Sequence, residues 1–128
     1  MVKSSVMDIL VVDDEPYIQR SLSFVFRKEG FEVEVASNGE EALKKTRELK
    51  PKIIFLDLLM PKLNGFDVCR MIKSDKELRD CYVIILTAKG QEVDKEKGLS
   101  EGADDFITKP FSPKEMVSKI RSILKKPE

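Results

Sequence analysis

The chain has 128 residues, with 23 Lys or Arg against 23 Asp or Glu, two Cys and no His. This length suits one domain with a sizeable core, and two cysteines do not make a disulfide framework, so we expect both to be packing residues. The absence of His excludes zinc hydrolases and His-dependent catalytic triads. The balanced charge, and the lack of an apolar run of roughly 20 residues, predict a soluble, cytoplasmic domain that binds neither nucleic acid directly nor membranes.

Short apolar runs alternate with longer amphipathic segments along the chain. Pro16 stands where a first helical position favours proline, and Ser112-Pro113-Lys114-Glu115 forms a capping box that opens a last helix. Asn64-Gly65 is interpreted as a turn. In chain order, the pattern predicts strand 8–12, helix 16–30, strand 31–35, helix 40–49, strand 53–56, helix 66–73, strand 82–86, helix 91–99, strand 106–108 and helix 113–124.

Five βα units in series predict an α/β fold, a single (βα)5 doubly wound parallel sheet with helices on both faces. The segment 31–35 alternates between apolar and charged residues, as an edge strand does, whereas 9–12, 53–56 and 82–86 are apolar throughout. This contrast favours the flavodoxin-like strand order 2-1-3-4-5. We expect a single domain, 1–128, with its core at about 7–125.

Polar residues stand where the predicted strands end. Asp13 and Asp14 follow the first strand, Asp57 the third, Thr87 the fourth and Lys109 the fifth. In a parallel sheet these ends lie at one edge, and strands 1 and 3 are neighbours at the topological switch point, where open α/β sheets bind ligands. The sequence therefore predicts three carboxylates in one crevice, with a hydroxyl and an ammonium beside them.

Each of these residues has an ordinary structural role when it is taken alone. An Asp at a strand end commonly forms a turn or caps a helix, as Asp14 could before Glu15-Pro16. Lys109 alone is an ordinary surface lysine, and Thr87 alone an ordinary strand-end residue. The functional interpretation depends on all of them converging.

The predicted crevice suits phosphoryl transfer onto a carboxylate. Oxygen ligands without His or Cys favour Mg²⁺ or Mn²⁺, and Mg²⁺ completes its octahedron with water and phosphate oxygens. Lys109 would provide a positive charge for the same phosphate, and Thr87 a hydrogen-bond donor. Since a carboxylate can attack phosphorus, an Asp in this crevice can form an aspartyl phosphate.

These residues carry a resemblance to a known family. The chain resembles, over nearly its whole length, a response-regulator receiver domain of the CheY-like superfamily. The motifs, in order, are Asp13-Asp14 after an apolar strand, Asp57 within Phe55-Leu56-Asp57-Leu58-Leu59-Met60-Pro61, Thr87-Ala88, and Lys109-Pro110-Phe111.

The resemblance implies a role for each site residue. Asp57 would accept a phosphoryl group from the phosphohistidine of a sensor histidine kinase, so that the protein is not an enzyme but a phosphoacceptor that assists its own phosphorylation and dephosphorylation. Mg²⁺ would be held by Asp14, Asp57 and the backbone carbonyl of Leu59, with Asp13 acting through water. Lys109 would pair with the phosphoryl group, and the Lys109-Pro110 peptide would be cis.

The resemblance also implies a switch. On phosphorylation the hydroxyl of Thr87 would move toward the new oxygens and Phe106 would turn inward, as a population shift between two states. Phe106 also fits a simple core role. Because Leu59 is apolar and cannot orient a hydrolytic water, we expect a long-lived phosphoryl group.

The last third of the chain is similar to receivers of the OmpR-like transcription factors. Members of that branch form dimers through the fourth helix, fifth strand and fifth helix, so a phosphorylation-promoted homodimer is expected. The candidate dimer face has charges of suitable sign for pairing Lys95 with Glu115, Glu101 with Lys119 and Asp105 with Lys126. The alternative is a solvated charged surface, and exposed pairs are each worth only about 0–1 kcal/mol. Kinase choice is assigned to the exposed face of the first helix, at Tyr17, Gln19, Arg20 and Ser23.

Other functions stay open on the sequence alone. One is a stand-alone receiver that signals to a protein partner, and a less favoured one is the receiver of a hybrid kinase. The rival from a different class is a Mg²⁺-dependent phosphohydrolase with an aspartyl nucleophile, but the short chain has no insertion to build a substrate-selecting cap.

Overall fold

The computed structural model describes residues 7–58, 64–87, 97 and 99–124. The strands, and the helices whose two ends lie within these residues, are in chain order β1 (Ile9–Val12), α1 (Pro16–Lys28), β2 (Val33–Ala36), α2 (Gly39–Leu49), β3 (Ile53–Asp57), α3 (Gly65–Ser74), β4 (Tyr82–Thr87), β5 (Asp105–Thr108) and α4 (Pro113–Leu124). The elements lie where the sequence predicted them. The largest differences are of two residues: α1 ends at Lys28 and not at 30, and β2 begins at Val33 and not at 31. The amide of Phe31 still donates to the carbonyl oxygen of Phe26 at the end of α1, and that of Glu32 donates to the side chain of Asp8.

The five strands form one parallel sheet in the order β2-β1-β3-β4-β5, which confirms the predicted topology. In the register between β1 and β3, Val12 lies beside Leu56. Between β3 and β4, Asp57 lies beside Leu86, and between β4 and β5, Thr87 lies beside Thr108. The carboxyl ends of β1, β3, β4 and β5 are therefore nearly level at one edge of the sheet.

Alternate residues of the central strands pack on opposite faces, so the sheet separates two hydrophobic layers. One layer lies under α2 and α3 and contains the strand residues Leu10, Val12, Ile54, Leu56, Val83 and Ile85. The other lies under α1 and α4 and contains Ile9, Val11, Ile53, Phe55, Ile84 and Leu86. Each fully buried side chain of this size is worth roughly 1.5–3 kcal/mol. The apolar runs seen in the sequence are thus covered on both faces.

The outer edge of β2 is closed by basic side chains. Arg27 on α1 donates a hydrogen bond to the carbonyl oxygen of Val33 (2.8 Å), and Lys45 on α2 donates one to that of Val35 (2.6 Å). Charged groups on an edge strand hinder pairing with another chain. They close the side of β2 that faces away from β1.

Helix starts follow the expected chemistry, with one correction. Pro16 is the first residue of α1, and Ser112 accepts a hydrogen bond from the amide of Glu115 ahead of α4. Asn64-Gly65, which the sequence predicted to be a turn, instead opens a helix: Asn64 caps α3 by accepting from Asp67 N, and Gly65 is its first residue. The prediction was wrong because Asn is as favourable at an N-cap as in a turn.

Some expectations concern residues outside the described part. The predicted helix 91–99 is described only at 97 and 99, where the backbone is helical.

Cys69 and Cys81 are buried free thiols, and burial raises the pKa of Cys69 to about 11, which agrees with a packing role. In the described residues we find no helix with the length and apolar character needed to cross a bilayer.

Candidate functional site

The site is built at the carboxyl edge of the sheet, where the strand register aligns the polar residues. Because Val12 and Leu56 are neighbours, Asp13 and Asp57, which follow them, lie side by side. Thr87 ends β4, directly after Leu86, which is the register partner of Asp57. The amide of Lys109 donates to the carbonyl oxygen of Thr87 (2.7 Å), which brings the end of β5 to the same place.

Asp13 is the most deeply placed carboxylate, with only 1% of its surface exposed. Its Oδ1 accepts a hydrogen bond from the amide of Glu15 (3.0 Å), whereas Oδ2 is buried and has no hydrogen-bond partner. Burial, together with the nearby charge of Asp57, raises the pKa of Asp13 from 3.8 to about 6. The amide of Glu15 and the cation of Lys109 oppose this rise without cancelling it.

Lys109 lies between two of the carboxylates. Its Nζ is 3.6 Å from Asp57 Oδ1 and 3.8 Å from Asp13 Oδ2, and its side chain is 34% exposed. These distances are ion-pair contacts longer than hydrogen bonds, so the ammonium is close enough to attract an anion at Asp57. The Lys109-Pro110 peptide is cis, as the resemblance implied.

The donor set fits a divalent cation. Asp13, Asp14 and Asp57 each offer an oxygen, and these atoms all lie within 4.8 Å of one another; Asp14 is exposed and the other two are buried. Three carboxylates beside one ammonium leave an excess of two negative charges when all are ionised. An all-oxygen set with a buried, unsatisfied carboxylate oxygen suits Mg²⁺ or Mn²⁺ better than softer metals.

Thr87 and Phe106 lie on the same side of the sheet. Thr87 is buried and follows Ile85 by two residues, so it shares the face under α2 and α3. Phe106 is half-buried, pairs in register with Ile85 and packs against the same hydrophobic layer. The ring and the hydroxyl are thus on neighbouring strands and on one face, an arrangement that the predicted switch needs.

Gly65 is a site residue that the sequence reasoning missed. Its amide donates to the carbonyl oxygen of Leu58 (3.1 Å), and a Cβ atom at this position would lie 2.7 Å from the carbonyl oxygen of Asp57. A side chain here would therefore push α3 away from the main chain that carries Asp57. A glycine next to an Asn cap was the available signal in the sequence, but only the tertiary packing shows that the missing side chain lets α3 approach the main chain of Asp57.

The predicted dimer-face charges are partly paired within the chain. Lys119 forms an ion pair with Asp105, and Glu101 lies 3.6 Å from Arg70 on α3. Glu115 is exposed. Lys95 and Lys126, and also Leu59 at the site, lie outside the described residues.

The first helix differs from the expectation of a uniformly exposed recognition face. Tyr17 is 68% exposed and Arg20 is exposed. Ser23, however, is buried, and the side chain of Gln19 is engaged with the main chain of Asp13 and with Ser37. These two residues therefore offer less free surface to a partner than Tyr17 and Arg20 do.

Comparisons with known proteins agree with this geometry. The sequence profile of the response regulator receiver domain matches residues 9–121. The chain is 45% identical over 120 residues to the DNA-binding response regulator MtrA of Mycolicibacterium smegmatis, covering 94% of this chain and 51% of that protein. It is 46% identical over 120 residues to the alkaline phosphatase synthesis transcriptional regulatory protein PhoP of Bacillus subtilis, covering 94% of this chain and 49% of that protein.

A solved structure shares the fold closely. The signal receiver domain of a signal transduction histidine kinase from Syntrophus aciditrophicus superposes with a TM-score of 0.85 at 33% identity, covering 96% of each chain. The chain spans about half the length of the curated relatives it matches.

Proposed function

The chain belongs to the response regulator receiver domain family of two-component systems, and we propose that Asp57 accepts a phosphoryl group from a sensor histidine kinase in a Mg²⁺-dependent reaction. The observation that carries this proposal is the convergence of Asp57 with the ammonium of Lys109 and with the buried Asp13 carboxylate, whose Oδ2 has no hydrogen-bond partner. The site then serves as a phosphoacceptor and not as the centre of a multiple-turnover enzyme.

In the transfer step, a carboxylate oxygen of Asp57 attacks the phosphorus of the kinase's phosphohistidine. The P–O bond to Asp57 forms while the P–N bond breaks, and the electron pair leaves with the imidazole nitrogen. Lys109, 3.6 Å from Asp57 Oδ1, offsets negative charge on the transferred group. The hydroxyl of Thr87 donates to one of its oxygens. Catalysis is then mainly positioning and charge neutralisation.

The divalent cation would be held by Asp14, Asp57 and the backbone carbonyl of Leu59, with Asp13 acting through water. When bound, Mg²⁺ offsets charge on the phosphoryl oxygens and so permits the approach of two anions. Support comes from the acidic cluster itself: its carboxylates repel one another, and burial, with a smaller contribution from the charge of Asp57, raises the pKa of Asp13. Leu59, being apolar, would leave the phosphoryl group slow to hydrolyse.

The proposed switch couples the phosphorylated site to a distant surface. The new phosphoryl oxygens would attract the hydroxyl of Thr87, and the ring of Phe106 would move inward into the space that this leaves. Their common face of the sheet supports this coupling. The response is a shift between two pre-existing populations, biased by the Thr87 hydrogen bond.

We propose dimerisation as the output, on the candidate face formed by the predicted helix 91–99, β5 and α4. Relatives such as MtrA are DNA-binding response regulators, which favours a receiver that controls a transcription factor. The cross-subunit pairs would be Lys95 with Glu115, Glu101 with Lys119 and Asp105 with Lys126. Because Lys119 pairs with Asp105 within the chain, dimerisation would exchange this contact for intersubunit ones. Exchanging one exposed ion pair for another would set the geometry of the dimer and contribute little to its affinity.

The test is light scattering of the protein with Mg²⁺ and either a small phosphodonor or beryllofluoride, with intact mass confirming the phosphodonor adduct. Asp57→Asn is the control. One covalent phosphoryl group per chain, lost in Asp57→Asn, is the expected result for the phosphoacceptor, and a monomer that becomes a dimer only when Asp57 is modified is the expected result for the output. A labelled protein that stays monomeric favours the stand-alone receiver. Absence of labelling, or multiple turnover on aryl or sugar phosphates, contradicts the phosphoacceptor role.

A further inference from the structure

The side chain of Gln19 links two loops at the edge of the acidic site. Its Nε2 donates one hydrogen bond to the carbonyl oxygen of Asp13 (2.6 Å) and another to Oγ of Ser37 (3.0 Å). Gln19 lies on α1, Asp13 follows β1 and Ser37 follows β2. One amide group thus ties the first helix to the ends of two adjacent strands.

The bond to Asp13 acts on the peptide that leads into Asp14. The carbonyl oxygen of Asp13 belongs to the peptide plane between the two residues, so holding this oxygen fixes the plane from which Asp14 extends. The other side of Asp13 is held by its amide, which donates to the carbonyl oxygen of Ala36 (3.0 Å). The carboxylate of Asp14 is exposed, and this main chain sets the direction of the Cα–Cβ bond from which it extends.

The bond to Ser37 keeps the Gln19 amide in place. The amide of Ser37 donates to Oε1 of Glu41 on α2 (2.6 Å), which anchors the loop after β2. A flexible Gln side chain loses rotamer freedom when it is ordered, and two simultaneous hydrogen bonds offset that loss. The anchored loop therefore maintains the orientation of Gln19 toward Asp13.

We propose that Gln19 is a positioning residue of the acidic site: it holds the Asp13–Asp14 peptide so that the Asp14 carboxylate is directed toward the divalent cation. This inference rests on the proposed function, since it concerns the cation that the phosphoryl transfer uses. Groups that orient metal ligands typically change metal affinity by about 10- to 100-fold when they are removed. Because Gln19 acts on the main chain and not on the ligand atom, we expect the lower end of this range.

The experiment measures Mg²⁺ affinity by calorimetry, together with the amide resonance of Asp14 by NMR without Mg²⁺. Gln19→Met retains the length of the side chain and removes both donors, and it should weaken Mg²⁺ binding about tenfold and shift the Asp14 resonance. Ser37→Ala removes only the outer anchor and should have a smaller effect in the same direction. Lys28→Met, at an exposed position of the same helix, is the matched control and should bind Mg²⁺ like the parent.

The outcomes separate this inference from the proposed function. If the parent protein neither binds Mg²⁺ nor is labelled on Asp57, the proposed function fails. If the parent binds Mg²⁺ and Gln19→Met binds it equally well, the role of Gln19 is overturned. A lower melting temperature with unchanged Mg²⁺ affinity would also overturn it, because it would reveal only a structural contact. Should Gln19→Met not fold, unchanged Mg²⁺ affinity in Ser37→Ala would count against the inference.

Discussion

The buried carboxylate of Asp13 should make the metal-free protein less stable as the pH rises. The pKa of Asp13 is raised from 3.8 to about 6 in the folded state, with burial as the largest cause. Each pKa unit corresponds to about 1.4 kcal/mol, so ionising Asp13 destabilises the folded state by about 3 kcal/mol relative to the unfolded chain. The folded protein holds the proton more tightly, so this contribution is fully stabilising below pH 3.8 and is lost by about pH 6.

Asp13→Asn removes this titration and retains an oxygen that can accept from the amide of Glu15. We expect the stability of the variant to rise relative to that of the parent by about 2–2.5 kcal/mol between pH 4 and pH 7.5. Urea unfolding followed by circular dichroism, in the presence of a chelator, measures both proteins at each pH. Asp80→Asn removes one negative charge from an exposed position and controls for the change in net charge.

Added Mg²⁺ should narrow the difference in stability between the two proteins. A cation that binds only the folded state stabilises it by about 2.7 kcal/mol at a hundred times its dissociation constant. The parent should therefore gain more from Mg²⁺ than Asp13→Asn does. A difference between the two proteins that does not vary with pH, or that falls as the pH rises, would refute the assignment of the destabilisation to the buried Asp13 carboxylate.

Three further substitutions test the surroundings of the site. Gly65→Ala should lower the free energy of unfolding by about 1–3 kcal/mol, because its Cβ would lie 2.7 Å from the carbonyl oxygen of Asp57; equal stability in urea would contradict the close approach. Leu59→Asn should accelerate loss of the phosphoryl group on the order of tenfold by orienting a water, and an unchanged decay rate followed by intact mass would argue against this. Lys73→Met should lower the free energy of unfolding by about 2–3 kcal/mol, because the Lys73 ammonium donates to the main-chain carbonyls of Arg79 and Cys81 and lies 2.7 Å from the carboxylate of Asp104. Lys76→Met, at an exposed position, is its control, and similar urea midpoints for the two variants would rule out this role for Lys73.

The fold was largely predictable from local patterns. Uninterrupted apolar runs such as Ile53–Leu56 can be covered only when helices lie on both faces, and the alternation within 31–35 indicated a sheet edge. Because connections between parallel strands are right-handed and short, few strand orders remain. Asp13, Asp57 and Lys109 were predicted to meet for the same reason, since the ends of parallel strands share one edge.

What the sequence could not determine depends on distances across the fold. The unsatisfied oxygen of Asp13 and its raised pKa arise from burial by residues distant in the chain. The sequence predicted intersubunit partners for Lys119 and Asp105, Glu101 and Lys126 respectively, and only the packing of α4 on β5 shows that the two also pair with each other within the chain. Asn64 was ambiguous between a turn and a cap, because the same side-chain oxygen serves both.

The sequence by itself determined the order of the elements and the chemical identity of the site, because hydrophobic periodicity and strand-end residues are local properties. Only the tertiary structure decided how the site is supported. Gly65 approaches the main chain of Asp57, and Gln19 turns from a predicted recognition face toward Asp13. Such contacts depend on the register and tilt of packed elements, which summed packing forces set and no short stretch of sequence encodes.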